Sequence, residues 1–210
     1  FKTGRGGYGE GDKFLGIRVP VVRKCVKEYR GISFDDTLVL LKSTFHEVRQ
    51  FALLTLVDKY TRAKTATEKA LIYKAYLTHT KYINNWDLVD CSAPRIVGAH
   101  LFEKERKPLY RLARSKNLWE RRIGVIATFW FIDRDDFSDS LALAELLLDD
   151  TEDLIHKAVG WMLREVGNRN KKTEEEFLII HYKKMPRTML RYSIEKFPKS
   201  VRLAYLHGKR

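Results

Sequence analysis

The sequence predicts an all-α fold built from helical repeats, and three observations lead there. From Val19 onward apolar residues recur at helical spacing, connections are short, and no block alternates as a β-strand would. Related strings recur along the chain: Val48-Arg49-Gln50-Phe51-Ala52-Leu53-Leu54, Glu120-Arg121-Arg122-Ile123-Gly124-Val125-Ile126 and Ile155-His156-Lys157-Ala158-Val159-Gly160-Trp161. Each is a polar pair followed by an apolar run that contains a small residue. Their spacing is regular. Arg49 to Arg121 is 72 residues, twice 36, while Arg121 to His156 and His156 to Arg191 are 35 each. The missing register, 36 after Arg49, falls at Asn85. Such a period, with two helices per unit, indicates an α-solenoid in the tetratricopeptide and HEAT/armadillo range. The tetratricopeptide consensus is not visible, so HEAT-like repeats are the expectation.

Residues 1–13 form a Gly-rich arm with Gly4, Gly6, Gly7, Gly9 and Gly11, and residues 14–210 are expected to form a single HEAT-like domain. Residues 4–9 match the G-x-G-x-x-G string. No strand precedes them and no acidic ribose partner follows, so a dinucleotide site is rejected. Pro20 is placed to open the first helix, where its missing N–H costs nothing, and Gly31 to close it. Further helices are expected over Asp35–Lys42, His46–Tyr60, Thr67–His79, Asn84–Ser92, Arg95–Lys104 and Lys107–Ser115. They continue over Leu118–Ile132, Ser138–Leu148, Thr151–Gly167, Thr173–Tyr182, Pro186–Phe197 and Val201–Leu206. Within Leu118–Ile132 the run Val125–Ile132 is rich in β-branched and aromatic residues and would pass for a buried strand. Its length, counted with Leu118–Arg122, favours a buried helix.

Forty Lys+Arg against 27 Asp+Glu give a net charge of +13. That excess points to an anionic partner, nucleic acid first and a membrane surface second. The charge is segregated. Lys183–Arg210 holds nine bases and one acid, Glu195, whereas Asp133–Asp153 holds nine acids and one base, Arg134. A basic face and an acidic back are therefore expected. No apolar run approaches a membrane span and no signal-peptide core opens the chain. A start at Phe1 leads us to expect residues upstream of it. Cys25 and Cys91 read as buried free thiols in a reducing compartment. The six histidines show no metal-ligand spacing. No Ser-His-Asp or Cys-His constellation, phosphate-binding loop or two-metal carboxylate group is present.

The chemistry concentrates at Trp86-Asp87-Leu88-Val89-Asp90. On a helix Trp86 and Asp90 share one face, one turn apart. An acid beside an indole on a basic protein is either structural or faces something that becomes cationic. The repeat register puts Gln50, Trp86, Arg122, Lys157 and Tyr192 in one column, a candidate concave face with Asp90 and Trp161 beside it. Each residue has an ordinary alternative. Trp86 and Trp161 could be packing, as we read Trp119 and Trp130. Arg122 could sit in an inter-repeat salt bridge or grip a phosphate. Lys157, Arg187 and Arg191 could be plain surface or phosphate contacts, and Gly160 could permit a close approach.

Four motifs together resemble the AlkD-like DNA alkylation repair glycosylases, a HEAT-like repeat family. They are Phe14-Leu15-Gly16-Ile17-Arg18-Val19-Pro20, Trp86-Asp87-Leu88-Val89-Asp90, Leu118-Trp119-Glu120-Arg121-Arg122 and Lys157-Ala158-Val159-Gly160-Trp161-Met162-Leu163-Arg164-Glu165. The resemblance runs over essentially the whole chain, in order. It implies a solenoid around duplex DNA and a monofunctional glycosylase that excises cationic N3- and N7-alkylpurines, with no base-flipping pocket, metal or cofactor. By motif match Asp90 takes the catalytic carboxylate role, Trp86 and Trp161 contact the lesion's deoxyribose, and Arg122 holds the backbone. Tyr8 lies near a family aromatic, with different Gly-rich spacing. The expected protein is a monomer in the cytoplasm, associated with the nucleoid. The rival readings are a non-catalytic DNA-binding solenoid and a protein-interaction scaffold.

Overall fold

The computed structural model describes residues 1–210 and is all-α, its helices built as repeats. The chain divides into two compact units, residues 1–100 and 101–210. No helix is long and apolar enough to cross a membrane.

The first unit begins with the arm. It turns back on itself through Gly7 N–H to Gly4 O (2.9 Å) and Gly9 N–H to Lys2 O (2.9 Å), and joins the body by an isolated bridge between Lys13 and Phe45. Helix α1 (Val19–Glu28) carries Pro20 in its first turn and buries Val22 and Val26, one turn apart. Helix α2 (Phe34–Leu41) is capped by Ser33, and α3 (His46–Arg62) is the long helix of the unit. Helix α4 (Ala66–Thr78) starts with a full capping box between Thr65 and Glu68. A 3-10 turn at Thr80–Tyr82 leads to α5 (Trp86–Asp90). A widened π-type turn, Pro94–Gly98, runs into the one-turn α6 (Ala99–Leu101). Leu41, Leu53, Leu56, Tyr76, Ile83, Leu88 and Ile96 form a fully buried core.

The second unit contains α7 (Lys107–Ala113), α8 (Leu118–Ala127), α9 (Phe129–Ile132), α10 (Ser138–Leu146) and α11 (Asp153–Arg169). Then follow α12 (Lys171–His181), α13 (Arg187–Ser193), a 3-10 turn at Ile194–Lys196 and α14 (Lys199–Leu206). Helix α11 is central, packing against α8, α12 and α13. Glycines permit two tight crossings. A Cβ on Gly124 would lie 2.9 Å from Leu109 O on α7, and one on Gly160 would lie 2.5 Å from Met189 O on α13.

The repeat register read from sequence has a physical basis in the structure. Arg49 Nη1 donates to Ser43 O (3.0 Å) and Arg121 Nη1 to Ser115 O (3.0 Å), and His156 Nε2 bonds Asp150 O. The side chains of the same residues, Ser43, Ser115 and Asp150, accept the N–H two positions on, at Phe45, Asn117 and Glu152. Those three N–H groups belong to the N-caps of α3, α8 and α11. A polar side chain thus sets the turn, and a basic side chain six residues on ties that turn to the new helix.

Five expectations are corrected. The helix expected over Leu118–Ile132 is interrupted at Thr128, whose hydroxyl donates back to Val125 O (2.7 Å) and competes with the helical ladder. Asn84–Ser92 shortens to α5, because Asn85 is extended and caps Trp86, while Ser92 Oγ donates to Leu88 O (2.5 Å). Pro94, lacking an N–H, then widens the expected Arg95–Lys104 helix into the π-type turn. The acidic stretch is no simple back. Asp136 and Asp139 pair with Arg106, Asp150 with Arg121 and Asp153 with Lys157. Cys25 and Cys91 are free thiols but only half-buried.

Candidate nucleic-acid site

The motif Trp86-Asp87-Leu88-Val89-Asp90 makes the whole of α5. Leu88 and Val89 are completely buried and fix the inner side of this short helix. The Trp86 indole remains 38% exposed and Asp90 is half-buried. Trp86 Nε1 donates to Tyr8 Oη (3.3 Å), so the Gly-rich arm delivers its tyrosine to the indole. The Phe1 ring lies 5.7 Å from Trp86, extending an aromatic cluster that includes Phe14 and His46.

Asp87 Oδ2 accepts from His46 Nε2 (2.8 Å) and Gln50 Nε2 (3.0 Å). The other His46 nitrogen, Nδ1, faces Asp12 Oδ2 at 3.7 Å. Asp12 Oδ1 accepts from Arg49 Nη2 (2.7 Å) and Asn84 Nδ2 (3.1 Å). Asp12, His46, Arg49 and Asn84 thus lock the arm, the start of α3 and the approach to α5 together, with His46 almost fully buried. Asp87 is committed to that lattice. Residue-level reading missed this network. The available signals were Asp12 at the end of the arm and the i, i+4 pair His46 and Gln50 at a helix start.

Glu47 is a second anchor. Its carboxylate accepts the N–H groups of Leu15 (2.8 Å), Gly16 (2.8 Å) and Ile17 (3.3 Å), holding the turn in which Gly16 takes a φ of 75°. Burial acts to raise the Glu47 pKa, but the N–H groups of Leu15, Glu47, Gly16 and Ile17 outweigh it and hold the carboxyl below its ordinary value. The Phe14–Pro20 motif is therefore bound to α3 by one carboxylate. Cys91, next to Asp90, has its thiol pushed up to about 12 by burial, reinforced by the charges of Asp87 and Asp90. That shift favours the neutral thiol over the nucleophilic thiolate.

The second unit holds the other residues singled out. Arg122 is buried, and its Nη1 donates to Leu154 O (2.5 Å). Trp161 is half-buried, 5.9 Å from the Phe129 ring, and its Nε1 donates to Glu165 Oε1 (2.9 Å). Lys157 Nζ pairs with Asp153 (2.7 Å), which holds the Asp153 carboxyl below its usual range. Arg187 Nη1 donates to Leu206 O (2.6 Å), while Arg191 is exposed on α13 beside Tyr192, itself 37% exposed. Gly160 serves the crossing with α13.

The expected column is not one continuous surface. Gln50 and Arg122 are buried, whereas Trp86, Lys157 and Tyr192 reach solvent. Trp86 opens α5, whereas Gln50, Arg122 and Lys157 each stand fifth in their helices, so equal register does not bring equal exposure.

With this geometry in place, comparison with known proteins is decisive. The sequence profile of the family described as DNA alkylation repair enzyme matches residues 1–197. The chain belongs to that family. A solved structure titled a predicted DNA alkylation repair enzyme from Enterococcus faecalis aligns with a TM-score of 0.69 at 17% identity. The alignment covers 91% of this chain and 92% of that one, and at that identity it attests the shared fold. No curated protein matches the sequence. As a DNA alkylation repair enzyme, the protein has a role in DNA repair, with DNA as its partner. No group of His, Cys, Asp and Glu side chains is arranged as a metal centre.

Proposed function

We propose that this DNA alkylation repair enzyme is a monofunctional glycosylase that releases cationic N3- and N7-alkylpurines from duplex DNA. The observation that carries the reading is the placing of a carboxylate and an indole together on α5. Asp87 is spent on His46 and Gln50, while Asp90 shares the short helix with a half-exposed indole that Tyr8 steadies.

The chemistry requires that arrangement. Alkylation at N3 or N7 makes the purine cationic and a good leaving group. As the C1′–N bond breaks, its electron pair leaves with the base and positive charge develops on the sugar. A carboxylate stabilises that oxocarbenium-like state and orients water for attack at C1′, taking up the water's proton. The electron-rich face of Trp86 favours the same cationic sugar. We assign Asp90 the catalytic carboxylate role and Trp86 a contact to the lesion nucleotide. In the second unit we assign Trp161 to the lesion nucleotide and Arg122, Lys157, Arg187 and Arg191 to the backbone. Tyr8 joins them through Trp86. Most glycosylases extrude the base into a pocket. Here recognition of the sugar cation replaces that step.

The test is release of 7-methylguanine from methylated duplex DNA. Asp90→Asn keeps the shape and removes the charge, and is expected to abolish release while leaving duplex binding intact. Release at the parent rate would sink the assignment. Removing one preorganised electrostatic stabiliser typically costs roughly 100- to 1000-fold in rate.

A further inference from the structure

Alongside α5 the first unit carries a cleft of about 360 Å³ that the aromatic and carboxylate site does not use. Its floor is apolar: Val26 and Leu54 belong to a small core with Val22, Phe51 and Cys91, and Val57 continues it. Its rim is cationic. Arg23 and Lys27 stand one turn apart on α1, Arg30 follows just beyond its C-terminal end, and Arg95 enters from the turn beyond α5. All four are exposed. The one acid of the lining, Asp58, is divided between Arg30 (3.5 Å) and Arg62 (2.7 Å). Arg23, Lys27 and Arg95 form no ion pair.

Like charges one helical turn apart destabilise a helix. Placing them around one concavity, with the one acid of its lining already committed, favours an anion that would offset them. Guanidinium forks match the paired oxygens of a phosphate. Cys91 in its wall directly follows Asp90.

We infer that this cleft seats phosphodiester groups of the nucleic-acid strand that runs past α5, with Arg23 and Arg95 as its principal contacts. The inference rests on the proposed DNA-repair reading for the identity of the strand, and it adds to that reading a backbone grip in the first unit. The phosphates fix the register of the strand against Asp90, while the apolar floor excludes water beneath it.

Duplex binding of the whole protein, measured from low to high salt, tests it. Neutralising a phosphate contact removes about 0.9 from the slope of log K against log salt. Arg23→Ala with Arg95→Ala is expected to flatten the slope by about 1.8. Arg23→Lys with Arg95→Lys retains the slope but weakens affinity. Lys24→Ala, on the same helix outside the cleft, leaves the slope unchanged. Equal flattening by Lys24→Ala would mean a diffuse basic surface and overturn the proposal, as would an unchanged slope in the double alanine variant. Titrations with inorganic phosphate and with polyglutamate separate other anions. If either binds in a way that needs Arg23 and Arg95 while duplex binding does not, the cleft is a free-anion or acidic-peptide site and the proposal fails. Base release by the parent protein is read separately. A parent that releases no 7-methylguanine, while the double variant still flattens the slope, refutes the glycosylase reading and leaves the cleft assignment standing.

Discussion

Gly160→Ala is the sharpest test of how the second unit is assembled. The added methyl would lie 2.5 Å from Met189 O, 2.6 Å from Tyr192 Cβ and 3.2 Å from Met189 C. Carbon atoms attract at about 3.5–4.0 Å, so the nearest contacts are roughly 1 Å too close. Neither obstacle is the end of a flexible side chain: one is a main-chain carbonyl of α13 and the other is fixed to that helix's backbone. The two helices must therefore move apart. Overpacking of this kind costs about 1–3 kcal/mol, and a backbone obstacle belongs at the upper end. Against it, alanine gains about 1 kcal/mol over glycine in a helix interior. The net loss is about 2 kcal/mol, which lowers the melting temperature by roughly 4–8 °C for a chain of this size. Thermal unfolding followed by circular dichroism reads it directly, with Gly31→Ala as the control, since a Cβ there meets nothing within 4 Å. Because α11 also carries Lys157 and Trp161, the variant should shift tryptophan fluorescence as well. A Gly160→Ala protein melting at or above the parent temperature would refute the account of the crossing.

Two further predictions concern acids buried for structural ends. Glu47→Gln replaces an acceptor of three N–H groups with a side chain that can accept at only one atom. It is expected to cost about 2–3 kcal/mol and to speed hydrogen exchange at Gly16 and Ile17. The folded pKa of Glu47 lies below its ordinary value of 4.5, so its contribution is complete above the unfolded pKa and is lost as pH falls through the folded one. The Gln variant should lose that part of the acid sensitivity, and an unchanged acid limb would refute the anchor. Glu174 behaves in the opposite sense. Burial raises its pKa from 4.5 to about 8, with Glu175 adding to the shift. Between those values the unfolded chain has released the proton that the folded one keeps, so stability falls with rising pH by about 1.4 kcal/mol per unit. Glu174→Gln should abolish this slope in denaturant unfolding at mildly acidic and mildly basic pH. A slope that persists unchanged in the variant would mean that Glu174 is not its source.

Much of the repeat was legible because it is written in local chemistry. Arg49, Arg121 and His156 stand at equal register because each makes the same bond to the carbonyl six residues before it. The small residue in two of the three strings marks a crossing: Gly124 and Gly160 are where another helix's backbone passes. The structural role of Asp87 was not legible. It is one of two acids on a five-residue helix, and its bonds come from His46 and Gln50 on α3. Arg122 likewise reads as a surface cation until Leu154 supplies the carbonyl that buries it. The short span of α5 depends on three weak local signals, Asn85, Ser92 and Pro94, that no periodicity captures. The cleft beside α5 was hidden for a similar reason, since Arg23 and Arg95 meet only through tertiary folding.

The bond from a basic side chain to the carbonyl six residues upstream has a consequence for how such a protein can change. Connector and helix start are tied by bonds that both begin and end within a seven-residue stretch: 43–49, 115–121 and 150–156. Such a stretch is a cassette, carrying its own bend wherever it is placed. The donor has been exchanged between arginine and histidine, and the turn-setting residue between serine and aspartate, without loss of the bend. Chimeras that exchange whole cassettes between copies should therefore fold, whereas junctions cut inside one, between the serine and its arginine, should not. Duplicated copies are free to diverge along their outer faces while the hinge between each pair of helices is inherited intact.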